Sequence, residues 1–399
     1  MNELLSTQAR STGASVIKEI LQLTKQPEII SFAGGMPNPQ TFPARELAQI
    51  ASDVILNHHH QALQYGPTEG VEMFRSEMLE WLSDFGLNRG LRETAVTTAS
   101  QQAIDLAGRT LLDPGDVVFC GLPTYLGAVQ AFQGLRADCR GIPLEENGMD
   151  LETLRSEIRE ARKEGKQPKF IYVIPDFQNP TGITMCEDKR KQLVRIAEQE
   201  GIYVFEDSPY MGLRYHGDHL PPIQTYDQDG YVFTVFSLSK ILAAGMRLGL
   251  LVGEEEVIGQ MVKIKRGVDV CTPPLTQHIA GNWLHQVDIY DHLSRLRGTY
   301  VENLEAMLEA LDKYLPNGEG VTWTSPNGGL FIWVELPKHL DTSELFYRAT
   351  EEKVAFVPGE HFFVDGSGSH TMRLCFSEGN PKKIDEGIHR LGNLLADCL

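Results

Sequence analysis

The chain has 399 residues, 42% of them hydrophobic and 23% charged, which is the composition of a globular protein with a core large enough to enclose a small ligand. Its formal net charge of -18 argues against nucleic acid, since no basic stripe offsets repulsion from phosphates. Six scattered cysteines form no CxxC pair, Met1 to Arg10 lacks a signal-peptide layout, and no apolar run approaches a membrane span, so a soluble cytoplasmic protein with reduced thiols is expected.

In chain order, Val16 to Leu23 has helical apolar spacing and predicts an N-terminal helix. Ile29 to Pro39 carries Gly34-Gly35 and two prolines. It reads either as a plain turn or as backbone able to approach a ligand closely. His58-His59-His60 resembles a metal tract, but adjacent helical residues splay around the axis, so no metal site is expected. Leu63 to Gly70 is a turn before a helix starting near Val71. There Tyr65 is either an exposed loop aromatic or a phenol directed at a polar ligand. Ala95 to Thr98 predicts a strand, and Ser100 to Leu106 opens a helix. The free N–H groups of that helix suit a phosphate, and ordinary capping by Ser100 is compatible with this. Val117 to Cys120 is a further strand, followed by Tyr125, which either stacks on a flat heteroaromatic ring or packs in the core. Leu151 to Lys169 reads as a solvated helix and its exit loop.

Three apolar runs, Phe170 to Ile174, Gly201 to Phe205 and Tyr231 to Phe236, predict strands, with helices such as Lys189 to Glu200 between them. That alternation implies a mostly parallel sheet. Polar residues recur just beyond these strands: Asn179, then Asp207 and Tyr210, then Ser237, Ser239, Lys240 and Arg247. Open α/β sheets bind ligands at those ends. Hydroxyls and a guanidinium suit a phosphate, and a lysine amine beside them can form a Schiff base with an aldehyde cofactor. A solvated Lys and Arg in a Ser-rich turn is the other reading of the last cluster. Leu248 to Val252 predicts one more strand, Asp288 to Leu311 a long helix, and Gly329 to Glu335 and Thr371 to Phe376 two short strands. Arg373 is either a surface strand residue or an anion anchor. There is no internal repeat, no Rossmann fingerprint and no Walker A loop.

Taken together, Asn179-Pro180-Thr181-Gly182, Asp207 with Tyr210, Ser237-x-Ser239-Lys240, Arg247 and Arg373 resemble the fold-type I, pyridoxal-phosphate-dependent aminotransferases over almost the whole chain. Ser31 to Pro37, Leu63 to Gly70 and Ser100 to Leu106 are most similar to the 2-aminoadipate and kynurenine aminotransferase branch. The resemblance implies an α/β fold: a large domain (51–287) with a mostly parallel seven-stranded sheet, and a smaller α+β domain (288–399) joined by the N-terminal segment (1–50). It implies that Lys240 holds the aldehyde of pyridoxal 5'-phosphate and moves the substrate proton. Asp207 would face the ring nitrogen, Asn179 and Tyr210 the phenolic oxygen, and Tyr125 the ring face. Ser100, Gln101, Ser237, Ser239 and Arg247 would hold the phosphate. Tyr65 would reach the phosphate of a neighbouring subunit, making a homodimer with shared sites. Arg373, assisted by Gly35 and Asn179, would grip the substrate carboxylate, and Lys18 stands where such relatives carry an arginine that reads side-chain carboxylates. Met36, Leu330 and Phe362 are expected to form an apolar wall, hence a broad range of L-amino-acid donors (2-aminoadipate, branched-chain or aromatic) with a 2-oxo acid acceptor such as 2-oxoglutarate. β-Elimination, decarboxylation and racemisation use the same fold and remain open. A ligand-sensing domain of a transcriptional regulator is disfavoured by the acidic charge and by a chain that starts almost at the aminotransferase segment.

Overall fold

The structure, a computed structural model, describes residues 4–6, 9, 20, 26–316 and 320–398. The predicted helix at Val16 to Leu23, and Lys18 with it, therefore lies almost wholly outside the described residues. The strands, in chain order, are β1 (Ile30–Ser31), β2 (Thr94–Thr97), β3 (Val117–Leu122), β4 (Asp138–Glu145), β5 (Gly148–Met149), β6 (Pro168–Val173), β7 (Tyr203–Ser208), β8 (Val232–Ser237), β9 (Gly249–Val252), β10 (Thr322–Trp323), β11 (Phe331–Glu335), β12 (Val354–Ala355), β13 (Val357–Pro358) and β14 (Thr371–Cys375).

The large sheet has the order β2-β9-β8-β7-β6-β3-β4-β5. Its centre is parallel: β3 pairs with β4 and β6, β6 with β7, and β7 with β8. The central strands are buried on both faces, as helices cover them from either side, which is why they read as continuous apolar runs. β9 runs antiparallel between β8 and β2. The sheet has eight strands, not the expected seven. The extra one is β5, two residues hairpinned onto β4 by a Glu146-Asn147 turn, with Gly148 opening the strand at φ 116. So short a pairing leaves no periodic pattern to read. β4 also escapes the apolar-run criterion, because most of its residues are half-buried and it contains Arg140 and Pro143.

A second sheet, β10-β11-β14-β13, is antiparallel throughout. β1 pairs in parallel with β12, tying Ile30 and Ser31 to Val354 and Ala355 far along the chain. This pairing carries the Gly34-Gly35 turn towards β14. The Ile289–Tyr314 helix, capped by the Asp288 carboxylate accepting from Tyr290 N and Asp291 N, bridges the two sheets. Leu293, Leu296, Tyr300, Leu304, Met307 and Leu311 form its buried stripe. No helix among the described residues is long and apolar enough to cross a membrane.

Candidate active site

The C-terminal ends of β2, β3, β6, β7 and β8 converge on one cavity of about 380 Å³, a size that suits a small ligand. Its lining includes Ser100, Gln101, Tyr125, Asn179, Asp207, Tyr210, Ser237, Ser239, Lys240, Arg247 and Arg373, together with Gly35. Residues separated by more than 270 positions thus meet in one place, because β14 and the Gly34-Gly35 turn close over the parallel sheet.

Lys240 sits on a single wide helical turn, Ser239–Ala243, directly after β8. Its Nζ donates to the Gly35 carbonyl. Burial, helped by Arg373 and Arg247, pushes its pKa down to about 8, against the pull of Cys375 and Glu378. A second short turn, Ala244–Met246, follows and ends at Arg247, which has a left-handed φ of 51 and lines the cavity.

Asp207 is fully enclosed on β7. Its Oδ2 accepts from Tyr172 Oη at 2.7 Å, and its Oδ1 has no partner. Burial pushes its pKa up to about 6, and the Tyr172 and Ser100 hydroxyls work against that rise. The Ser239 hydroxyl is buried without a partner, as is Arg373 Nε. Ser237 Oγ accepts from Ser239 N at 3.2 Å. Buried polar atoms are normally satisfied. The Ser239 hydroxyl and the Arg373 Nε are open to an anion, and the carboxylate Oδ1 to a donor such as a protonated ring nitrogen.

Arg373, on β14, stands between the rings of Phe331 at 4.3 Å and Phe362 at 5.0 Å. Its Nη1 donates to Asn179 Oδ1 at 2.9 Å, and its Nη2 to the carbonyls of Ala33 and Gly34, each at 3.0 Å. It is an enclosed charge and not a surface strand residue. Tyr210 packs edge-on against Phe331, and burial raises its phenol pKa well above the ordinary value. Tyr125 donates to Gln101 Oε1 at 3.2 Å, and Gln101 Nε2 to the Gly127 carbonyl at 2.9 Å, so the ring is held at the cavity wall.

Two expectations change. Ser100 does not cap its helix: Thr98 occupies the N-cap position, the helix begins at Ala99, and the Ser100 hydroxyl faces Asp207. Leu330 and Phe362 do not line the cavity; Phe331 does, with Met36, Leu126 and Ile174. Phe362 backs the arginine instead. Tyr65 is 81% exposed and outside its own chain's cavity. Lys18 lies outside the described residues. Two participants had been missed: Phe331, the first residue of β11, and Tyr172. A tyrosine inside an otherwise apolar buried strand needs a hydrogen-bond partner, and that was the available signal.

A family model for aminotransferase class I and II matches residues 28–391. The chain is 39% identical over 98% of its length to an aromatic-amino-acid aminotransferase of Thermococcus litoralis, covering 94% of that protein. It is likewise 39% identical over 97% of its length to the 2-aminoadipate transaminase of Thermus thermophilus, covering 95% of it. Its fold superposes on the kynurenine aminotransferase of Pyrococcus horikoshii, solved with PMP, with a TM-score of 0.95 at 39% identity, covering 100% of this chain and 98% of that one. With a multiple substrate aminotransferase of Thermococcus profundus the TM-score is 0.94 at 38% identity, covering 99% and 98%. A cavity built at the strand ends around one buried lysine, in a chain so matched along its length, belongs to an aminotransferase of the class I and II family.

Proposed function

We propose that this aminotransferase works with pyridoxal 5'-phosphate on a broad set of L-amino acids of 2-aminoadipate, branched-chain and aromatic type, with a 2-oxo acid such as 2-oxoglutarate as acceptor. The observation that carries the reading is the Lys240 amine, its pKa near 8, in one cavity with the enclosed Asp207 carboxylate, the unpartnered Ser239 hydroxyl and Arg247. The cofactor's features suit the residues gathered there: a phosphate for Ser100, Gln101, Ser237, Ser239 and Arg247, a pyridine nitrogen for Asp207, and a phenolic oxygen for Asn179 and Tyr210. When bound, it supplies an aldehyde carbon that takes up amines and a ring that accepts the electron pair left when the substrate Cα–H bond breaks.

The chain's own residues do the rest. Near pH 8 about half of the Lys240 amine is neutral, so it can take the α-proton and return it elsewhere. The enclosed Asp207 carboxylate keeps a facing ring nitrogen protonated. Arg373 presents a rigid fork, with Nε unused, to a substrate carboxylate, and Asn179 and the Gly35 region hold that fork in place. Tyr125 and Phe331 wall off water. Met36, Leu126 and Ile174 offer apolar contacts to varied side chains. Relatives named for aromatic, 2-aminoadipate and multiple substrates support that breadth.

Two measurements test this. Lys240→Ala should abolish turnover and the ability of borohydride to fix the cofactor to the chain, and an active Lys240→Ala enzyme overturns the assignment. Across 2-aminoadipate, leucine, methionine, kynurenine and phenylalanine, rates with 2-oxoglutarate should span several donors. Strict activity on one, or product formation independent of the oxo acid, overturns the substrate reading.

A further inference from the structure

Behind the phosphate end of the cavity, and not lining it, lies a polar cluster centred on Lys265. Its side chain has no exposed surface. The ammonium donates to both carboxylate oxygens of Asp269 at 2.8 Å, to Gln102 Oε1 at 3.0 Å and to Thr272 Oγ1 at 3.0 Å. Gln102 Nε2 donates to Asp269 Oδ2 at 2.6 Å. The same Gln102 Oε1 accepts from the backbone N–H of Thr98 at 2.8 Å. A second link runs from Thr272 Oγ1 to Thr98 Oγ1 at 3.3 Å.

Thr98 is the hinge of the turn that leads β2 into the Ala99–Leu111 helix, and its side chain makes no capping bond to that helix. The next residue, Ala99, is held at φ 58, a left-handed conformation that L-residues other than glycine, asparagine and aspartate seldom adopt. Such a conformation persists only where the surroundings over-determine it. Thr97 Oγ1 donates to the Ala99 carbonyl at 3.1 Å from one side, and the Gln102 bond to Thr98 holds the other. The consequence falls on Ser100 and Gln101, which open the helix into the cavity.

We propose that Lys265 is a positioning residue for the cofactor phosphate: through Gln102 and Thr272 it locks the Thr98–Ser100 turn in the geometry that presents the helix N-terminus to the phosphate. This rests on the reading that Ser100 and Gln101 hold that phosphate. A buried ammonium suits the task because it can order an amide, a carboxylate and a hydroxyl at once, which no apolar side chain can do. Asp269, a quarter exposed, supplies the counter-charge.

The test compares apoenzyme binding of pyridoxal 5'-phosphate with that of pyridoxal, which lacks the phosphate. In Lys265→Met, and independently in Gln102→Leu, the Kd for pyridoxal 5'-phosphate should rise about 10-fold while that for pyridoxal stays constant, the scale of one hydrogen bond to a charged group. Gln102→Leu spares the Lys265–Asp269 pair and so carries the same expectation if Lys265→Met fails to fold. Equal weakening of both ligands, or no change in their ratio, overturns the proposal. Ser100→Ala is measured in parallel. If it raises the ratio of the pyridoxal 5'-phosphate Kd to the pyridoxal Kd while the Lys265 and Gln102 variants do not, only the positioning role fails. If it too leaves the ratio unchanged, the phosphate assignment fails and the proposal with it.

Discussion

Arg373 shows how much one side chain is asked to do. An unpaired guanidinium in an apolar interior is costly. Here two aromatic rings, an amide and two carbonyls hold it, with Nε left over. On the proposed role, Arg373→Lys keeps the charge and loses the fork. We expect KM for amino donor and oxo acid alike to rise about 10- to 100-fold, with the melting temperature little changed, in steady-state assays across both substrates. An unchanged KM would remove Arg373 from carboxylate recognition. At this scale the charged participants were legible in the chain: Lys240, Asp207 and Arg373 interrupt or follow apolar runs, where a charge needs a reason. Phe331 and Tyr172 were not, since an aromatic in a buried strand looks like core until its neighbours are known.

The elements explain why the charges converge. Parallel strands with helical crossovers bring every carboxyl end to one edge of the sheet, so the loops after β2, β3, β6, β7 and β8 share a rim. The Leu126–Gly134 helix shows how finely such a loop is fitted. A Cβ at Gly127 would lie 2.5 Å from the Tyr125 ring. Gly127→Ala should therefore displace the ring rather than unfold the protein, because alanine is otherwise the better helix residue. The expected signature is a fall of about 10-fold in cofactor affinity with stability within about 1 kcal/mol of wild type, read by titration and denaturant melts. Affinity equal to wild type would mean that the ring plays no part in holding the cofactor. The long strands and helices of this rim were readable from periodicity. The two-residue strands β1, β5, β10, β12 and β13 were not, because two residues carry no periodic pattern to read.

For the whole molecule, the telling residue is Tyr65. It lies outside its own cavity, exposed, with Leu56 and Leu63 also exposed nearby in the chain. We read it as a residue that completes the site of a second copy. Chains carrying Tyr65→Ala and Lys240→Ala, coexpressed with different tags, should form a hybrid in which one site draws an intact lysine from one chain and an intact tyrosine from the other. Assayed at limiting cofactor, that hybrid should recover about half of the wild-type rate per dimer, while each parent stays impaired. Recovery of nothing would place Tyr65 in no shared site.

By itself the sequence determined the α/β class, the strand ends that carry polar residues, and the lysine, aspartate and arginine on which the proposed chemistry rests. These follow from local physics: apolar runs bury, helices alternate with strands, and charges beside such runs must be paired or used. Only the tertiary structure decided which atoms are left without partners, that Phe331 rather than Leu330 walls the cavity, and that a lysine at position 265 stands behind the Thr98–Ser100 turn. Those facts arise from contacts between segments far apart in the chain, and hydrogen-bond satisfaction and cavity shape exist only once those segments have packed.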